Sequence, residues 1–443
     1  MAFLTEAANR GSISTGYDVD NSLKLEPDNS ENLKWTNISS YATSARKKTF
    51  SFSVWFKITE LGVQRTIWAT STNGYLLLQA DGQLKWQQSY GGVVKTLNTT
   101  RLFRDTSAWY HVIIAVDSTQ STEANRTRLY VNGVEETDLT STTYPSQNAE
   151  GENVYADHHY LGAYAGNQIY WGGYMSDVYF ISDAQITPSD VGEFDEDSNI
   201  WKPIAYTGTI SSPSYFLEFK DSSDLGTATS GLDADTLSNI AAADQATDTP
   251  TNNFAIANPL LTVGGFMRPT EGGTKGVLST AGPGNNTGGT SLVSTIPVSR
   301  GKWYFEAKRV TGNSAYPFAG AFKTEGTMGS YLGATVDGWT ILMDASDNGE
   351  WRNNGTLSGT SAGTFSNGDI AMIAIDMDNG KIWFGKGGTW ADSGNPSAGS
   401  GEQYNNLTGT IVPAVAVYTG ASIALNFGSP PYAISSSNSD ANG

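Results

Sequence analysis

The stretch FSFSVWFKI, which begins at Phe50, decides the fold class of this chain. Its apolar side chains fall at every second position, at Phe50, Phe52, Val54, Phe56 and Ile58. A helix would instead place apolar residues three or four positions apart. The alternation therefore predicts a β-strand that is half-buried, with one face in a core and residues 51, 53, 55 and 57 on the other face.

Further strands are predicted on both sides of this stretch. In the first half of the chain they cover residues 22–26, 109–117, 128–131, 173–181 and 215–220, and the last of these is taken as the final strand of the first unit. The strand at 128–131 runs into Asn132-Gly133, which is typical of a type I′ hairpin turn. Helical periodicity is nearly absent, so an all-β fold is expected.

The second half repeats the pattern. Strands are predicted at 303–307, 369–377, 381–385, 411–418 and 421–427, and the last two are expected to form an antiparallel pair. Between the halves, residues 222–253 are small, polar and acidic, which is typical of a connector with few core contacts. The predicted division is 1–221 for the first domain, 222–253 for the connector, 254–435 for the second domain and 436–443 for a polar tail.

Each half is expected to have its own core. Val54 and Phe56 are predicted to be buried in the first, and Phe305, Ile373 and Ile375 in the second.

Composition limits the function. The formal net charge is -18, and such a surface repels phosphate backbones, so no nucleic-acid partner is expected. There is no cysteine, which excludes disulfides and thiolate metal sites. The first residues, MAFLTE, do not resemble a signal peptide, and no segment approaches the ~20 apolar residues of a membrane helix, so no membrane insertion is expected.

Four motifs of the first half resemble laminin-G-like domains of the concanavalin-A-like superfamily: FSFSVWFKI at Phe50, WYHVIIAVD at Trp109, TRLYVNGV at Thr127 and YWGGYMSDVYFISDAQ at Tyr170. The second half resembles a SPRY domain through GKWYFEAKRV at Gly301, GDIAMIAIDMDNGKIWFGKGG at Gly368, IVPAV at Ile411 and LNFG at Leu425. The two resemblances imply two tandem concanavalin-A-like antiparallel β-sandwiches (jelly rolls) joined by a polar connector.

Three further phrases resemble virion proteins of tailed bacteriophages: GSISTGYDVDNSLKLE at Gly11, TYPSQNAEG at Thr143 and DTPTNNFAIANPL at Asp248. This resemblance implies a virion surface protein, such as a tail fibre, tail-tip or head-fibre component, made in the host cytoplasm. Its implied partners are other virion proteins and a host surface glycan or receptor. Because fibres are usually closed cyclic assemblies, a homo-oligomer is expected, with a trimer favoured. The alternative is a purely architectural role in contact with other virion proteins alone.

The sequence offers little for catalysis. His111 falls in a predicted central strand, where packing is the expected role, and the adjacent His158 and His159 make a poor chelate. Some glycosidases of this sandwich class carry Glu-x-Asp-x-x-Glu on a strand. The nearest string runs from Glu193 to Ser198 and has serine in place of the second glutamate. A non-enzyme is therefore expected, with a glycan depolymerase as the second alternative.

Binding of a sugar through aromatic rings is the favoured chemistry. The candidate ligand-binding residues are the aromatics of predicted loops: Trp86, Tyr90, Tyr164, Tyr170, Trp171, Trp339 and Trp351. No cofactor is required, but laminin-G-like domains often hold one Ca²⁺ at a rim through carboxylates. The resemblance makes Asp18, Asp20, Asp105, Asp157 and Asp177 the candidate ligands.

Overall fold

The fold is taken from a computed structural model, which describes residues 16–155, 157–166, 168–263, 268–277, 290–311, 317–329, 331–344, 349–417 and 421–432. Strands account for 47% of the chain and helices for 6%, so the all-β prediction is confirmed. The chain divides into two compact units, and the boundary along the sequence lies between Asn253 and Phe254. The predicted tail at 436–443 lies outside the described residues.

Nineteen strands are described in the first unit. They are β1 (Ser22–Leu25), β2 (Asn32–Trp35), β3 (Thr49–Ile58), β4 (Arg65–Ser71), β5 (Gly74–Leu78), β6 (Gln83–Tyr90), β7 (Val93–Leu102), β8 (Trp109–Asp117), β9 (Thr127–Val131), β10 (Val134–Glu135), β11 (Leu139–Thr142), β12 (His159–Leu161), β13 (Gly173–Ser182), β14 (Gly192–Phe194), β15 (Trp201–Pro203), β16 (Tyr215–Leu217), β17 (Ser230–Gly231), β18 (Thr236–Ser238) and β19 (Gln245–Ala246). One short helix, α1 (Ser44–Lys48), precedes β3, and 3-10 turns lie at Pro27–Asn29, Ile38–Tyr41, Glu123–Asn125, Pro188–Asp190 and Ala242–Asp244.

Two large sheets form the first sandwich. One has the order β10-β9-β8-β3-β13-β1-β19, with β16 bonded to β13 and β17 to β16. The other has the order β11-β7-β6-β5-β4-β12-β2-β18, while β14 and β15 form a separate hairpin. Every pair is antiparallel, as in a jelly roll.

The first core lies between these sheets. The rings of Phe52 and Trp68 stack at 4.7 Å, and those of Trp35 and Tyr215 stack at 4.1 Å. Val54 and Phe56 are buried there, as predicted. The prediction that β3 is half-buried is wrong, because its other face is buried as well.

The acidic segment 222–253 is not a free connector. It supplies β17, β18 and β19, which extend both sheets, and it places Leu225 and Ala234 in the first core. Its backbone also accepts a hydrogen bond from Trp35 Nε1 at Leu232 O, at 3.0 Å. The connector prediction and the placement of the last strand at 215–220 are therefore wrong. Pairing with exposed strand edges stabilises backbone that has little apolar surface of its own.

The hairpin between β9 and β10 has the predicted turn. Asn132 and Gly133 have φ of 46° and 79°, as a type I′ turn requires. Gly133 is also required by space, because a Cβ there would lie 2.3 Å from the ring of Trp201 on β15. The turn thus leaves room for the β14–β15 hairpin on the outer face of the sheet.

The second unit contains the remaining described strands. They are β20 (Ala257–Val263), β21 (Arg268–Thr270), β22 (Lys275–Val277), β23 (Thr290–Ser294), β24 (Lys302–Thr311), β25 (Phe318–Lys323), β26 (Gly338–Leu342), β27 (Glu350–Asn353), β28 (Thr356–Ser361), β29 (Ile370–Asp376), β30 (Lys381–Lys386), β31 (Thr389–Trp390), β32 (Ile411–Val417) and β33 (Ser422–Asn426). A 3-10 turn lies at Ala391–Ser393.

These strands form a second antiparallel sandwich. Its sheets have the orders β20-β23-β32-β25-β26-β27-β28 and β21-β22-β33-β24-β29-β30-β31. Phe305, Ile373 and Ile375 are buried between them, as predicted. The expected pairing of the last two strands is wrong, because β32 bonds to β23 and β25 in one sheet whereas β33 bonds to β22 and β24 in the other. The chain crosses between the sheets there instead of forming a hairpin.

Candidate functional site

Three of the candidate aromatic residues in the first unit belong to its core. Trp86, Tyr90 and Trp171 are buried in the cluster between the sheets. On β6 the period of two places Trp86 and Tyr90 on the inward face together with Leu84. Trp171 packs edge-on against Phe56 at 5.4 Å. The prediction that these three rings are exposed in loops is therefore wrong.

The other two candidates of the first unit are partly exposed. The Tyr164 hydroxyl donates a hydrogen bond to Thr72 O at 2.6 Å, and its ring packs on Tyr75 at 5.6 Å. Tyr170 is half-buried in the loop before β13. The two tyrosines remain candidates for ligand contact.

In the second unit, both predicted tryptophans have buried rings. Trp339 lies on β26 in the core and donates from Nε1 to Asn406 Oδ1 at 2.8 Å. Trp351 lies on β27 and is also part of the core cluster. The expectation of exposed rings is wrong for both. Trp351 nevertheless lines the floor of a surface cleft, which we call the Trp351 cleft.

The Trp351 cleft has a volume of about 320 Å³. It lies where the β27–β28 hairpin faces the loop that follows β31. Besides Trp351, it is lined by Asn353, Thr356, Leu357, Ser358, Thr360, Asp392, Glu402, Gln403 and Tyr404. Polar groups of both kinds, donors and acceptors, therefore surround an aromatic and aliphatic floor.

Two carboxylates of the cleft are held in place by neighbours. Glu402 forms an ion pair with Lys381 at 3.1 Å, and hydrogen bonds from its own backbone N–H and from Lys381 lower its pKa. It is therefore ionised at neutral pH and acts as a hydrogen-bond acceptor. Asp392 Oδ2 accepts from Thr360 Oγ1 at 3.3 Å, which links the loop to β28.

Gln403 fixes the loop side of the cleft. Its Oε1 accepts from Phe384 N at 2.7 Å on β30, and its Nε2 donates to Ala391 O at 3.2 Å. Tyr404 continues this edge, with its backbone bonded to Ile382, and burial raises the pKa of its hydroxyl to about 12. The lining is thus anchored to a strand of the sandwich, which favours recognition by a preformed surface.

Sequence reasoning found one residue of this cleft and missed the others. The hairpin residues and the loop residues are about forty positions apart, and only the strand order brings them together. The available signal was the combination of Asp, Glu, Gln and Tyr in a Gly/Ser-rich loop at 387–410.

The structure does not gather the five aspartates predicted for Ca²⁺ into one cluster. Within the part of the chain that the structure describes, no group of three or more His, Asp or Glu side chains is arranged to hold an ion. Asp18, Asp20 and Asp105 are exposed, and Asp157 pairs with His158 at 2.8 Å. Asp177 is buried and is bonded to Tyr17.

The histidines have structural surroundings. His111 Nδ1 accepts from Trp201 Nε1 at 3.0 Å, so Nε2 carries the proton and donates to Ser53 Oγ at 2.8 Å. His159 Nε2 donates to Val154 O at 2.8 Å. Burial lowers the pKa of His111 to about 3 and that of His159 to about 4, so both are neutral. These contacts indicate that His111 and His159 serve in packing.

The acidic string from Glu193 lies on the β14–β15 hairpin, outside both sheets. Hydrogen bonds from Ser198 lower the pKa of Asp195 to about 2, so this carboxyl is ionised. A general acid for glycoside hydrolysis needs a raised pKa. Asp195 therefore does not suit that role.

Residues 28–192 match the family model described as the concanavalin A-like lectin/glucanases superfamily, of laminin G type. No curated protein matches the chain. Among the described residues there is no helix long and apolar enough to cross a membrane.

Three similar solved structures are SPRY domains. The SPRY domain of human HERC1 is 16% identical with a TM-score of 0.31, and the match covers 39% of this chain and 98% of that one. A human SPRY domain is 18% identical with a TM-score of 0.28, covering 35% and 92%, and the TRIM65 PSpry domain is 12% identical with a TM-score of 0.30, covering 39% and 92%. The sandwich fold of the second unit is assigned from its own strand order and not from these three matches.

Proposed function

We propose that this chain is a non-catalytic, glycan-binding protein of a bacteriophage virion surface, with the Trp351 cleft as its binding site. One observation carries the binding role: ionised Glu402, Asp392, the amides and the hydroxyls surround an aromatic floor in one anchored cleft. Sugars present both hydroxyls and apolar C–H faces, so this combination fits them.

The charge state of Glu402 favours binding over hydrolysis. A glycosidase needs one protonated carboxyl beside the scissile bond. Glu402 is instead held ionised by Lys381, and it accepts hydrogen bonds without a proton to give. The family match, whose description names both lectins and glucanases, covers residues 28–192 and therefore does not bear on this cleft.

The virion assignment rests on the resemblance of three phrases of the sequence to phage proteins. Antibody labelling of purified particles tests it, and absence of the chain from particles would contradict it. The homo-oligomer, with a trimer favoured, stays a prediction that light scattering on the purified chain can test.

A glycan array followed by calorimetry tests the binding role. The wild-type chain is expected to bind a host surface glycan, and Glu402→Gln and Asp392→Asn are each expected to weaken that affinity by roughly tenfold, since each removes a charged acceptor. Glu325→Gln is the matched control, because Glu325 is exposed and lies outside the cleft.

The same samples distinguish the alternatives. Shortened glycan chains in mass spectra would establish a depolymerase instead. Unchanged binding in both cleft variants would remove the Trp351 cleft from the proposal, and no binding to any glycan would favour an architectural role.

A further inference from the structure

A second cleft lies in the first unit, on the outer face of the sheet that contains β13. Four aromatic rings line it, those of Tyr17, Tyr179, Tyr206 and Phe216, and its volume is about 320 Å³. Tyr179 and Phe216 stack at 4.0 Å with an interplanar angle of 5°, and Tyr206 meets Tyr179 at 5.9 Å and 64°. We call it the Tyr179 cleft.

A buried carboxylate lies beside these rings. Asp177 is the extra residue of a β-bulge in β13, where the pairing with β3 shifts between Ser176 and Tyr179, and its φ is 43°. Its Oδ2 accepts from the Tyr17 hydroxyl at 3.0 Å. Tyr17 lines the cleft, so this bond holds the carboxylate directly behind the lining, although Asp177 is not itself a lining residue.

The second oxygen of this carboxylate has no partner. Asp177 is 2% exposed, and its Oδ1 makes no hydrogen bond in the described part of the chain. A buried carboxylate oxygen without a partner is costly. Strain at a positive φ adds to that cost, and such sites are often functional. Among the residues that the structure describes, no cation forms an ion pair with Asp177.

The described residues around Asp177 do not supply this positive charge. The positive charge of Lys220 lowers the pKa of Asp177, but Lys220 Nζ is already paired with Glu218 at 2.8 Å, and its side chain is mostly exposed. Thr229 and Ser230 of the segment 222–253 form another wall of the cleft. The acidic segment thus helps to enclose the site.

We propose that the Tyr179 cleft binds an organic ammonium group, with the aromatic faces and Asp177 as its recognition elements. An ammonium ion is attracted to the faces of aromatic rings, and desolvation strengthens that attraction. The carboxylate supplies the opposite charge, and neither element selects an anion or a neutral polyol. This site is separate from the Trp351 cleft and does not depend on the glycan-binding proposal.

Binding is expected to depend on pH. Burial raises the pKa of Asp177 to about 7, with Glu218 adding to the rise and the Tyr17 hydrogen bond and Lys220 opposing it. The phenols of Tyr17 and Tyr179 also face this carboxyl, and burial raises the pKa of each above its ordinary value, so both stay neutral. The ionised carboxylate attracts a cation in the cleft, so the affinity for the cation rises as pH increases from 5.5 to 8.

Titration with choline and with its neutral isostere 3,3-dimethyl-1-butanol, followed by NMR on the full chain, tests the proposal. At pH 8 choline is expected to bind at least roughly tenfold more tightly than the neutral compound, and roughly tenfold more tightly than at pH 5.5. A parallel titration with n-butylamine shows whether the cleft prefers a quaternary ammonium group or a primary amine such as a lysine side chain.

Variants assign the site. Asp177→Asn and Tyr206→Leu are each expected to weaken choline binding by roughly tenfold, while Tyr144→Leu, at a half-buried tyrosine outside the cleft, leaves it unchanged. Equal binding of choline and its isostere, or full choline affinity in folded Asp177→Asn, would overturn the proposal. If that variant does not fold, a wild-type affinity for choline that is the same at pH 5.5 and pH 8 overturns it.

Discussion

Strand β3 of the first unit and strand β24 of the second each lie in the middle of one sheet of a sandwich, but their outward faces differ. On β3 the outward side chains Ser53 and Lys57 are fully buried. On β24 the outward Tyr304 is 37% exposed, and Lys302 is exposed. In the first sandwich a further layer covers the outward face of β3. In the second sandwich much of the outward face of β24 is exposed.

A polar network fills the layer over β3. Lys57 Nζ lies 2.7 Å from Asp248 Oδ2, and Trp109 Nε1 donates to Asp248 Oδ1 at 2.9 Å. Lys57 also donates to Asn253 Oδ1 at 2.7 Å. Residues about 190 positions apart are therefore joined by a buried ion pair, which fixes the end of the segment 222–253 against the sheet.

The largest expected effect comes from removing this layer. A fragment of residues 1–221 lacks β17, β18, β19 and Asp248, so it exposes the edges of β16, β2 and β1 and removes the buried carboxylate that pairs with Lys57. We expect it not to fold, whereas fragments 1–253 and 254–443 each give a cooperative thermal transition by circular dichroism. A stable fragment 1–221 would show that the segment is a connector after all.

The next effect concerns the ion pair alone. Asp248→Asn leaves a buried lysine without its counter-charge and is expected to lower the free energy of unfolding by about 3–5 kcal/mol. Burial already lowers the pKa of Lys57, and the charge of Asp248 opposes that shift. Urea denaturation of the 1–253 fragment measures the loss.

The control for this experiment lies in the second unit. Asp369 pairs with Lys386 at 2.8 Å, but both side chains are about one-third exposed. Asp369→Asn is therefore expected to cost below about 1 kcal/mol. If both variants lost a similar free energy of unfolding, the layer that covers β3 would not explain the difference between the two outward faces.

The alternation of apolar residues identifies inward faces and no more. It placed Val54 and Phe305 in their cores, because a strand has a period of two wherever it occurs. It could not show that β3 is covered on both faces, since part of the cover comes from Asp248, far along the chain. Small acidic residues gave no sign that their backbone pairs with sheet edges.

The site was less predictable than the fold. Trp351 was found because a tryptophan in polar surroundings is conspicuous, but its ring is buried and only the edge of the cleft is polar. Trp351 lies on β27 of one sheet, whereas Glu402 and Asp392 follow β31 of the other sheet, and a single sequence does not specify that these two sheets bring them together. Asp177 was chosen as a Ca²⁺ ligand, whereas the structure gives it a tyrosine partner.

The smallest expected effect is a difference in how two carboxyls respond to pH. Asp177 has a pKa raised to about 7, mainly by burial. Asp369, which partial burial alone would raise, has a lowered pKa because Lys386 and the backbone of Ser366 donate hydrogen bonds to it. The first group stabilises the fold when protonated, and the second when ionised.

The two aspartates therefore predict opposite slopes. The contribution of Asp177 is fully present below the ordinary carboxyl pKa of about 4 and is lost as pH rises through 7. Asp177→Asn cannot ionise, so its stability relative to wild type is expected to increase between pH 4 and pH 8. Asp369→Asn should instead match wild type in strong acid and become the less stable of the two as pH rises through the lowered pKa of Asp369 to the ordinary carboxyl value of about 4, with no further change above it. Urea denaturation of both variants at several pH values measures these slopes. If the stability of both variants relative to wild type changed with pH in the same direction, burial would not be the property that separates Asp177 of the first sandwich from Asp369 of the second.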